Sequence, residues 1–301
     1  MPASPAISVV MPVRDGGVYL AAAIDSILAQ DFGDFEFVIV DDGSIDQTPA
    51  ALAKYAARDP RIRLFRQSGI GIVGALNDGM AQTRADLIAR MDADDVALPP
   101  RLGRQFQFLS DHPECVAVGS RILLIDADGW PIRQMCEEQT HAEIDAANLR
   151  AGGAAINHPA VMFRAAAFRK LAGYRQEMIY AEDLDLWLRM AEIGQLHNLP
   201  QVLLHYRMHA KSIGHARAIQ QHEQWRLAAR EAHQRRGTAA EPAGDVHEKA
   251  STPADHHMRW AWWALIAGNV RTARKHALAA LRLRPLSIDS WRLAACAVRG
   301  H

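Results

Sequence analysis

Short apolar runs alternate with amphipathic stretches over the first hundred residues. Four runs rich in Val, Ile and Phe have the length of buried strands: 7–13, 35–40, 62–65 and 87–91. Three stretches between them have apolar side chains at helical spacing: 18–30, 49–58 and 70–83. Strands that alternate with helices form βαβ units, in which the strands run parallel. The pattern predicts an α/β fold with a Rossmann-like, mixed but mostly parallel sheet flanked by helices.

The pattern becomes mixed beyond residue 115 and turns helical toward the C-terminus. Strand-like runs extend to residue 163, a helix is predicted over 181–193, and a last strand ends at residue 207. Amphipathic spacing then predicts a helix, followed by a linker rich in Gly, Pro, Thr and Ala. The final stretch has small-residue spacing typical of half a tetratricopeptide-like repeat. We therefore predict three parts: a catalytic domain over 1–215, a helix and linker over 216–254, and a small helical appendage over 255–301.

Composition argues against several classes of protein but does not indicate an activity. Lys and Arg together equal Asp and Glu at 34 each, so no overall field favours a nucleic-acid partner, and none is expected. The three cysteines lack the spacing of a disulfide scaffold or a zinc site. No stretch has the length of an export signal or a membrane span. A cytoplasmic protein is expected, with any membrane contact peripheral at the inner face of the plasma membrane.

Acidic residues follow two of the predicted strands directly. Asp41 comes after the second strand, and three more aspartates lie within four residues after the strand that ends at Met91: Asp92, Asp94 and Asp95. In open α/β sheets, ligands bind at the carboxyl ends of strands. Carboxylates there suit Mg²⁺ or Mn²⁺ bound to a substrate diphosphate. The alternative is that single aspartates cap helices or close turns, but three so close together favour a divalent cation.

Several motifs occur one after another along the chain. Each motif alone is weak evidence for a family, whereas the whole ordered set is specific. They are Ser8-Val9-Val10-Met11-Pro12-Val13, Asp41-Asp42-Gly43-Ser44, Met91-Asp92-Ala93-Asp94-Asp95, His158-Pro159-Ala160, Glu182-Asp183-Leu184-Asp185-Leu186-Trp187 and Tyr206-Arg207-Met208-His209. In this order they resemble family-2 glycosyltransferases of the GT-A fold, over roughly the first 210 residues. The resemblance implies an enzyme that transfers a sugar from a nucleotide-sugar donor.

On the donor side, the resemblance assigns roles to residues at the strand ends. It implies that Asp41 hydrogen-bonds the nucleotide base and that the backbone at Pro12 and Val13 lines the base pocket. Many relatives have an aromatic residue and an asparagine where this chain has Arg14 and Asp15. Arg14 could stack on a base through its guanidinium plane, so uridine, guanosine and thymidine donors all stay open.

The resemblance also divides the acidic cluster and names a general base. It implies Asp94 as metal ligand and Asp92 nearer the ribose, with Asp95 sharing either of these roles. Asp183 matches the family's general base, which takes the acceptor proton in an inverting single displacement. Two further roles follow from the same likeness: Arg207 and His209 over the diphosphate, and His158 and Glu182 on the acceptor side.

The motifs are compatible with three functions. The first is an inverting transferase that builds a surface polysaccharide, a lipopolysaccharide or another glycan on a glycan or lipid-linked acceptor. The second is a polyprenyl-phosphate sugar synthase, for which Asp183 would matter less because the acceptor is already ionised. The third is an inactive GT-A binding module. The basic, tryptophan-bearing tail is expected either to contact an anionic membrane or to pack on the domain or another subunit of a homo-oligomer.

Overall fold

The structure of the protein is a computed structural model that describes residues 4–151, 153–209, 218–239 and 252–300. The strands of these residues are β1 Ile7–Val13, β2 Phe35–Asp41, β3 Ile62–Arg66, β4 Leu87–Arg90, β5 Val96–Ala97, β6 Cys115–Ile125, β7 Pro131–Met135, β8 Met162–Arg164 and β9 Gln195–Arg207. The helices are α1 Leu20–Leu28, α2 Thr48–Arg58, α3 Ile72–Ala81, α4 Arg101–Asp111, α5 His141–Leu149, α6 Ala165–Lys170, α7 Glu182–Ala191, α8 Ala218–Arg236, α9 Pro253–Ile266, α10 Val270–Leu283 and α11 Ile288–Arg299.

The sheet is parallel at one side and mixed at the other. Its strand order is β3-β2-β1-β4-β8-β6-β9-β5, with β7 paired to β6. Strands β3, β2, β1 and β4 are parallel, whereas β8 runs antiparallel to β4. The predicted α/β fold with a mixed, mostly parallel sheet is therefore confirmed. The structure also has the expected helices in the C-terminal part of the chain.

Close packing of α3 on β1 and β2 holds the parallel strands in place. A methyl group at Gly79 of α3 would lie 2.8 Å from Val10 Cγ1 and 3.0 Å from Val40 Cγ2, so only glycine allows the helix this near. The strands beneath it are buried along their whole length. Val13 of β1 faces Asp41 of β2, and Val10 faces Arg90 of β4. The carboxyl ends of these strands therefore open at one edge of the sheet.

The described chain divides into two compact units, each built from separated segments. The first consists of residues from 4–122, 136–205 and 220–239, and the second of residues from 123–135, 206–209, 218–219 and 252–300. The predicted boundary near residue 215 and most of the predicted linker lie outside the described residues. The three-part division of the chain therefore stays a prediction.

The second unit joins a hairpin to the C-terminal helices. The hairpin of β6 and β7 closes through the amide of Asp126, which donates to the carbonyl of Trp130 over 2.9 Å. Helix α9 begins with a capping box of Thr252 and Asp255, and α9, α10 and β7 pack together. Within the described residues, no helix combines the length and apolar character needed to cross a bilayer.

Candidate active site

Three carboxylates meet directly after β4. One oxygen from each of Asp92, Asp94 and Asp95 lies within 4.8 Å of the others, and Asp95 is fully buried while the other two are half-buried. The last residue of β4, Arg90, is 3% exposed and places Nη1 2.5 Å from Asp92 Oδ2. The expected clustering of these acids thus occurs in the first unit, with one of the three neutralised by an arginine.

The charge of this cluster fits a divalent cation. Burial raises the pKa of Asp92, and the neighbouring Asp94 adds to the rise, although Arg90 opposes both. Burial disfavours the charged form of Arg90, but Asp92 outweighs it and the pKa of Arg90 is raised. At this partly open edge, Asp94 and Asp95 supply further carboxylate oxygens beside the pair of Asp92 and Arg90. Such a donor set matches the hard oxygen ligands that Mg²⁺ and Mn²⁺ bind.

His158 lies in a hydrogen-bonded group beside the acids. Its Nε2 is 2.8 Å from the hydroxyl of Tyr174, and its Nδ1 is 3.8 Å from Glu182 Oε1. Burial, reinforced by the charge of Arg90, lowers the pKa of His158 well below its usual range, so the ring is neutral at pH 7. His158 and Glu182 are therefore neighbours, as their shared assignment to the acceptor side requires, and that role stays a prediction.

The first turn of α7 presents two adjacent carboxylates. Burial raises the pKa of Glu182 to about 8, with Asp183 next to it as the second cause. Burial also raises the pKa of Asp183, although the amide of Leu184 donates to Asp183 Oδ1 over 2.7 Å. The charge of Asp92 contributes to both shifts. A half-buried aspartate with a raised pKa has the properties of a proton acceptor.

The predicted base pocket lies at the ends of β1 and β2. Asp41 is 2% exposed, its Oδ1 accepts from the amide of Ser44 over 2.9 Å, and its Oδ2 lies 3.5 Å from Arg66 Nε. Pro12 and Val13 are buried, whereas Arg14 is exposed beside the loop that follows β3. The Asp41 carboxylate is thus held in place by its own loop and by an arginine, and its contact with a base stays a prediction.

Two of the predicted donor residues belong to the second unit. Arg207 is 8% exposed and its Nη1 donates to the carbonyls of Asp126 and Ala127, over 3.4 and 3.2 Å. His209 is half-buried. These contacts fix the Arg207 side chain on the β6–β7 turn, and the assignment of both residues to the diphosphate stays a prediction.

The structure adds residues that the sequence did not single out. Arg90 had one detectable signal, because a lone cation at the end of a buried strand needs a partner. Tyr174 had none, because it lies 16 residues from His158 in the chain and meets it only in the fold. Asp185 is 1% exposed and pairs with Arg175 and Arg189, so it anchors α7 from inside.

Solved structures and curated relatives agree on one class of protein. The fold is that of the GT-A glycosyltransferases, since a mannosyltransferase of Pyrobaculum calidifontis, PcManGT, in complex with GDP-Man and Mn²⁺, aligns with a TM-score of 0.59 at 20% identity. This alignment covers 99% of this chain and 81% of that one. TarS of S. aureus with UDP-GlcNAc aligns with a TM-score of 0.57 at 16% identity, over 98% and 88% of the two chains.

The sequence comparison is more specific. Residues 8–172 match the model of glycosyl transferase family 2. The O-antigen biosynthesis glycosyltransferase WbnJ of Escherichia coli is 33% identical over 210 residues, which are 68% of this chain and 81% of that protein. The protein belongs to glycosyl transferase family 2 and is a glycosyltransferase.

Proposed function

We propose that the protein moves a sugar from a nucleoside-diphosphate donor to an acceptor hydroxyl with inversion, aided by a divalent cation. The observation that carries the proposal is the carboxylate cluster after β4, in which one oxygen from each of Asp92, Asp94 and Asp95 lies within 4.8 Å of the others. In this proposal Asp94 and Asp95 hold the cation. Bound Mg²⁺ or Mn²⁺ would offset charge on the leaving diphosphate. PcManGT, whose structure contains GDP-Man and Mn²⁺, supports this choice of ligand set.

The remaining chemistry falls to residues of the chain. Asp183 accepts the proton of the acceptor hydroxyl as its oxygen attacks C1 of the sugar, and the bond from C1 to the diphosphate breaks on the opposite face. Glu182, which has a pKa of about 8, holds a proton at pH 7, so it adds no second negative charge beside the base. Asp41, Pro12, Val13 and Arg14 bind the nucleoside, and Arg207 and His209 act on the diphosphate.

The relatives support a role in surface polysaccharide synthesis. WbnJ is named for O-antigen biosynthesis, which favours a glycan or lipid-linked glycan as the acceptor. PcManGT and TarS were solved with different nucleotide sugars, GDP-Man and UDP-GlcNAc, so the base of the donor is left to experiment. A lipid-linked acceptor also fits the peripheral membrane contact expected of the basic tail.

Thermal unfolding tests the donor site directly. We would measure the midpoint with UDP, GDP, dTDP and CMP and their sugar conjugates, each with and without Mn²⁺. A ligand at a hundredfold excess over its Kd should stabilise the protein by about 2.7 kcal/mol. We expect one diphosphate series to act only with metal, and Asp94→Ala to abolish its effect. If no nucleotide shifts the midpoint under any metal condition, the transferase proposal fails and an inactive binding module is favoured.

A further inference from the structure

Helix α11, the last of the C-terminal tail, has two apolar faces. Its inner face is buried and consists of Ser290, Leu293 and Ala297. A second stripe has the helical spacing i, i+3, i+7 and i+10, and consists of Ile288, Trp291, Ala295 and Val298. Ile288 is 84% exposed and Val298 is 70% exposed. A stripe at this spacing is what a helix presents to a partner surface, and here it faces solvent.

The loop between α10 and α11 extends the exposed stripe. Leu286 is 96% exposed and Leu283, at the end of α10, is also exposed. The indole N–H of Trp291 donates to the carbonyl of Pro285 over 2.8 Å. Because that polar group is already paired within the protein, the indole can enter an apolar layer without leaving a donor unsatisfied.

Arginines border this surface. Arg292 follows Ile288 by four residues and Arg299 follows Ala295 by four, so each lies one turn along from an apolar side chain of the stripe. Both are exposed, as is Arg282 before the loop, and within the described part of the chain no carboxylate lies within 4 Å of any of the three. Asp289 is the single acid of α11.

We propose that the α10–α11 loop and the exposed stripe of α11 dock on an anionic lipid bilayer. Apolar side chains edged by arginines, with a tryptophan between them, match a helix that lies in the plane of the membrane interface. Pairing this face with a second copy would gather Arg292 and Arg299 of both chains in one interface, where Asp289 of each chain is the single acid of the helix. The inference deepens the proposed peripheral contact and rests on it.

Vesicle co-sedimentation of the full chain tests the surface. We expect binding to vesicles of phosphatidylcholine mixed with phosphatidylglycerol, weak binding to phosphatidylcholine alone, and weaker binding at high salt. Each arginine contributes about fivefold, so the double variant Arg292→Gln/Arg299→Gln should lower the partition coefficient roughly thirtyfold. Removing the apolar contacts with Leu286→Ser/Ile288→Ser should lower it by at least about tenfold.

The matched control removes equal charge elsewhere. Arg104 and Arg150 are exposed on the first unit, so Arg104→Gln/Arg150→Gln should leave vesicle binding unchanged. Every substituted side chain is exposed, and equal unfolding midpoints would verify that the variants fold.

Absence of binding to anionic vesicles, or equal losses in control and test variants, would overturn the proposal. A dimer that only Leu286→Ser/Ile288→Ser disrupts, with vesicle binding intact, would assign the face to a second copy instead. None of these measurements uses a donor, so their failure leaves the donor-site proposal standing.

Discussion

At the scale of single residues, two effects oppose each other at Asp183. The N-terminus of α7 favours a carboxylate, whereas burial favours the neutral acid, and the pKa is raised above its ordinary value of 3.8. If Asp183 is the general base, kcat/KM should fall as the pH drops toward that raised pKa. Asp183→Asn should lower kcat by about 10²- to 10⁴-fold, measured by donor turnover.

Nucleotide binding distinguishes a general base from a residue that binds the donor. Asp183→Asn should keep the metal-dependent thermal shift with the nucleotide, because the base acts on the acceptor. A variant that transfers sugar at the normal rate would instead favour a polyprenyl-phosphate acceptor, which is already ionised. A variant that loses nucleotide binding would contradict the assignment of Asp183 to the acceptor proton.

Arg90 gives a second prediction at the residue scale. Because Arg90 is buried and pairs with Asp92 at 2.5 Å, its removal leaves a carboxylate without its counter-charge. Arg90→Met should therefore lower the free energy of unfolding by about 3–5 kcal/mol, measured with urea. The comparison is Arg284→Met, whose pair with Asp255 is more than a third exposed on both sides, and there about 1 kcal/mol or less is expected. Equal losses would show that the Arg90 pair is no stronger than a surface pair.

At the scale of elements, α7 depends on one buried acid. Asp185 Oδ1 lies 2.5 Å from Arg175 Nη2, and its Oδ2 lies 2.7 Å from Arg189 Nη2. Asp185→Ala would leave two arginines without their central partner and should cost about 3–5 kcal/mol of unfolding free energy. Because α7 carries Asp183 in the same turn, activity should fall along with stability.

Glu177 offers the control for that prediction. It also contacts Arg175, at 3.8 Å, but its side chain is 64% exposed. Glu177→Ala should change the unfolding free energy by less than about 1 kcal/mol and leave activity unchanged. If both substitutions cost the same, the anchoring role given to Asp185 is wrong.

The elements also show which parts of the fold and the site can be predicted from sequence patterns. The strands and helices of the first hundred residues follow from local periodicity, and the acids after β4 follow from their place at a strand end. The pairing of Arg90 with Asp92 and of Tyr174 with His158 does not, because each depends on side-chain directions within the folded site. Sequence spacing likewise could not place residues 123–135 with the C-terminal helices, since that contact joins distant segments.

At the scale of the whole molecule, the site affects stability through pH. The pKa of Glu182 is about 8 in the folded protein and 4.5 ordinarily, so between these values the folded protein holds a proton that the unfolded chain has lost. The contribution of Glu182 to stability therefore falls as pH rises through this window and levels off above it. In metal-free protein, Glu182→Gln should reduce the decline of stability measured by urea unfolding from pH 5 to pH 9, and the remainder belongs to Asp92 and Asp183, whose pKa values are also raised.

Glu36 should show the opposite dependence. It is 2% exposed, and although burial opposes ionisation, hydrogen bonds from Ser8, Arg63 and Arg84 lower its pKa below 4.5. Its contribution is present above that value and is lost as the pH falls through the lowered pKa. Glu36→Gln should therefore destabilise the protein at neutral pH. Above pH 5, this substitution should not change how the free energy of unfolding depends on pH. A slope in that window removed by Glu36→Gln, and not by Glu182→Gln, would contradict both assignments.

The assembly of the second unit from distant segments has a consequence for synthesis on the ribosome. Asn269 donates to the carbonyl of Ile132 across 137 residues of chain, and Ile132 is fully buried in the finished fold. At about 5–20 residues translated per second, the helices that cover strand β7 are synthesised on the order of ten seconds after the strand itself. During that interval its apolar side chains are available to chaperones or to neighbouring nascent chains. The yield of folded protein is then expected to depend on elongation speed over the second half of the message.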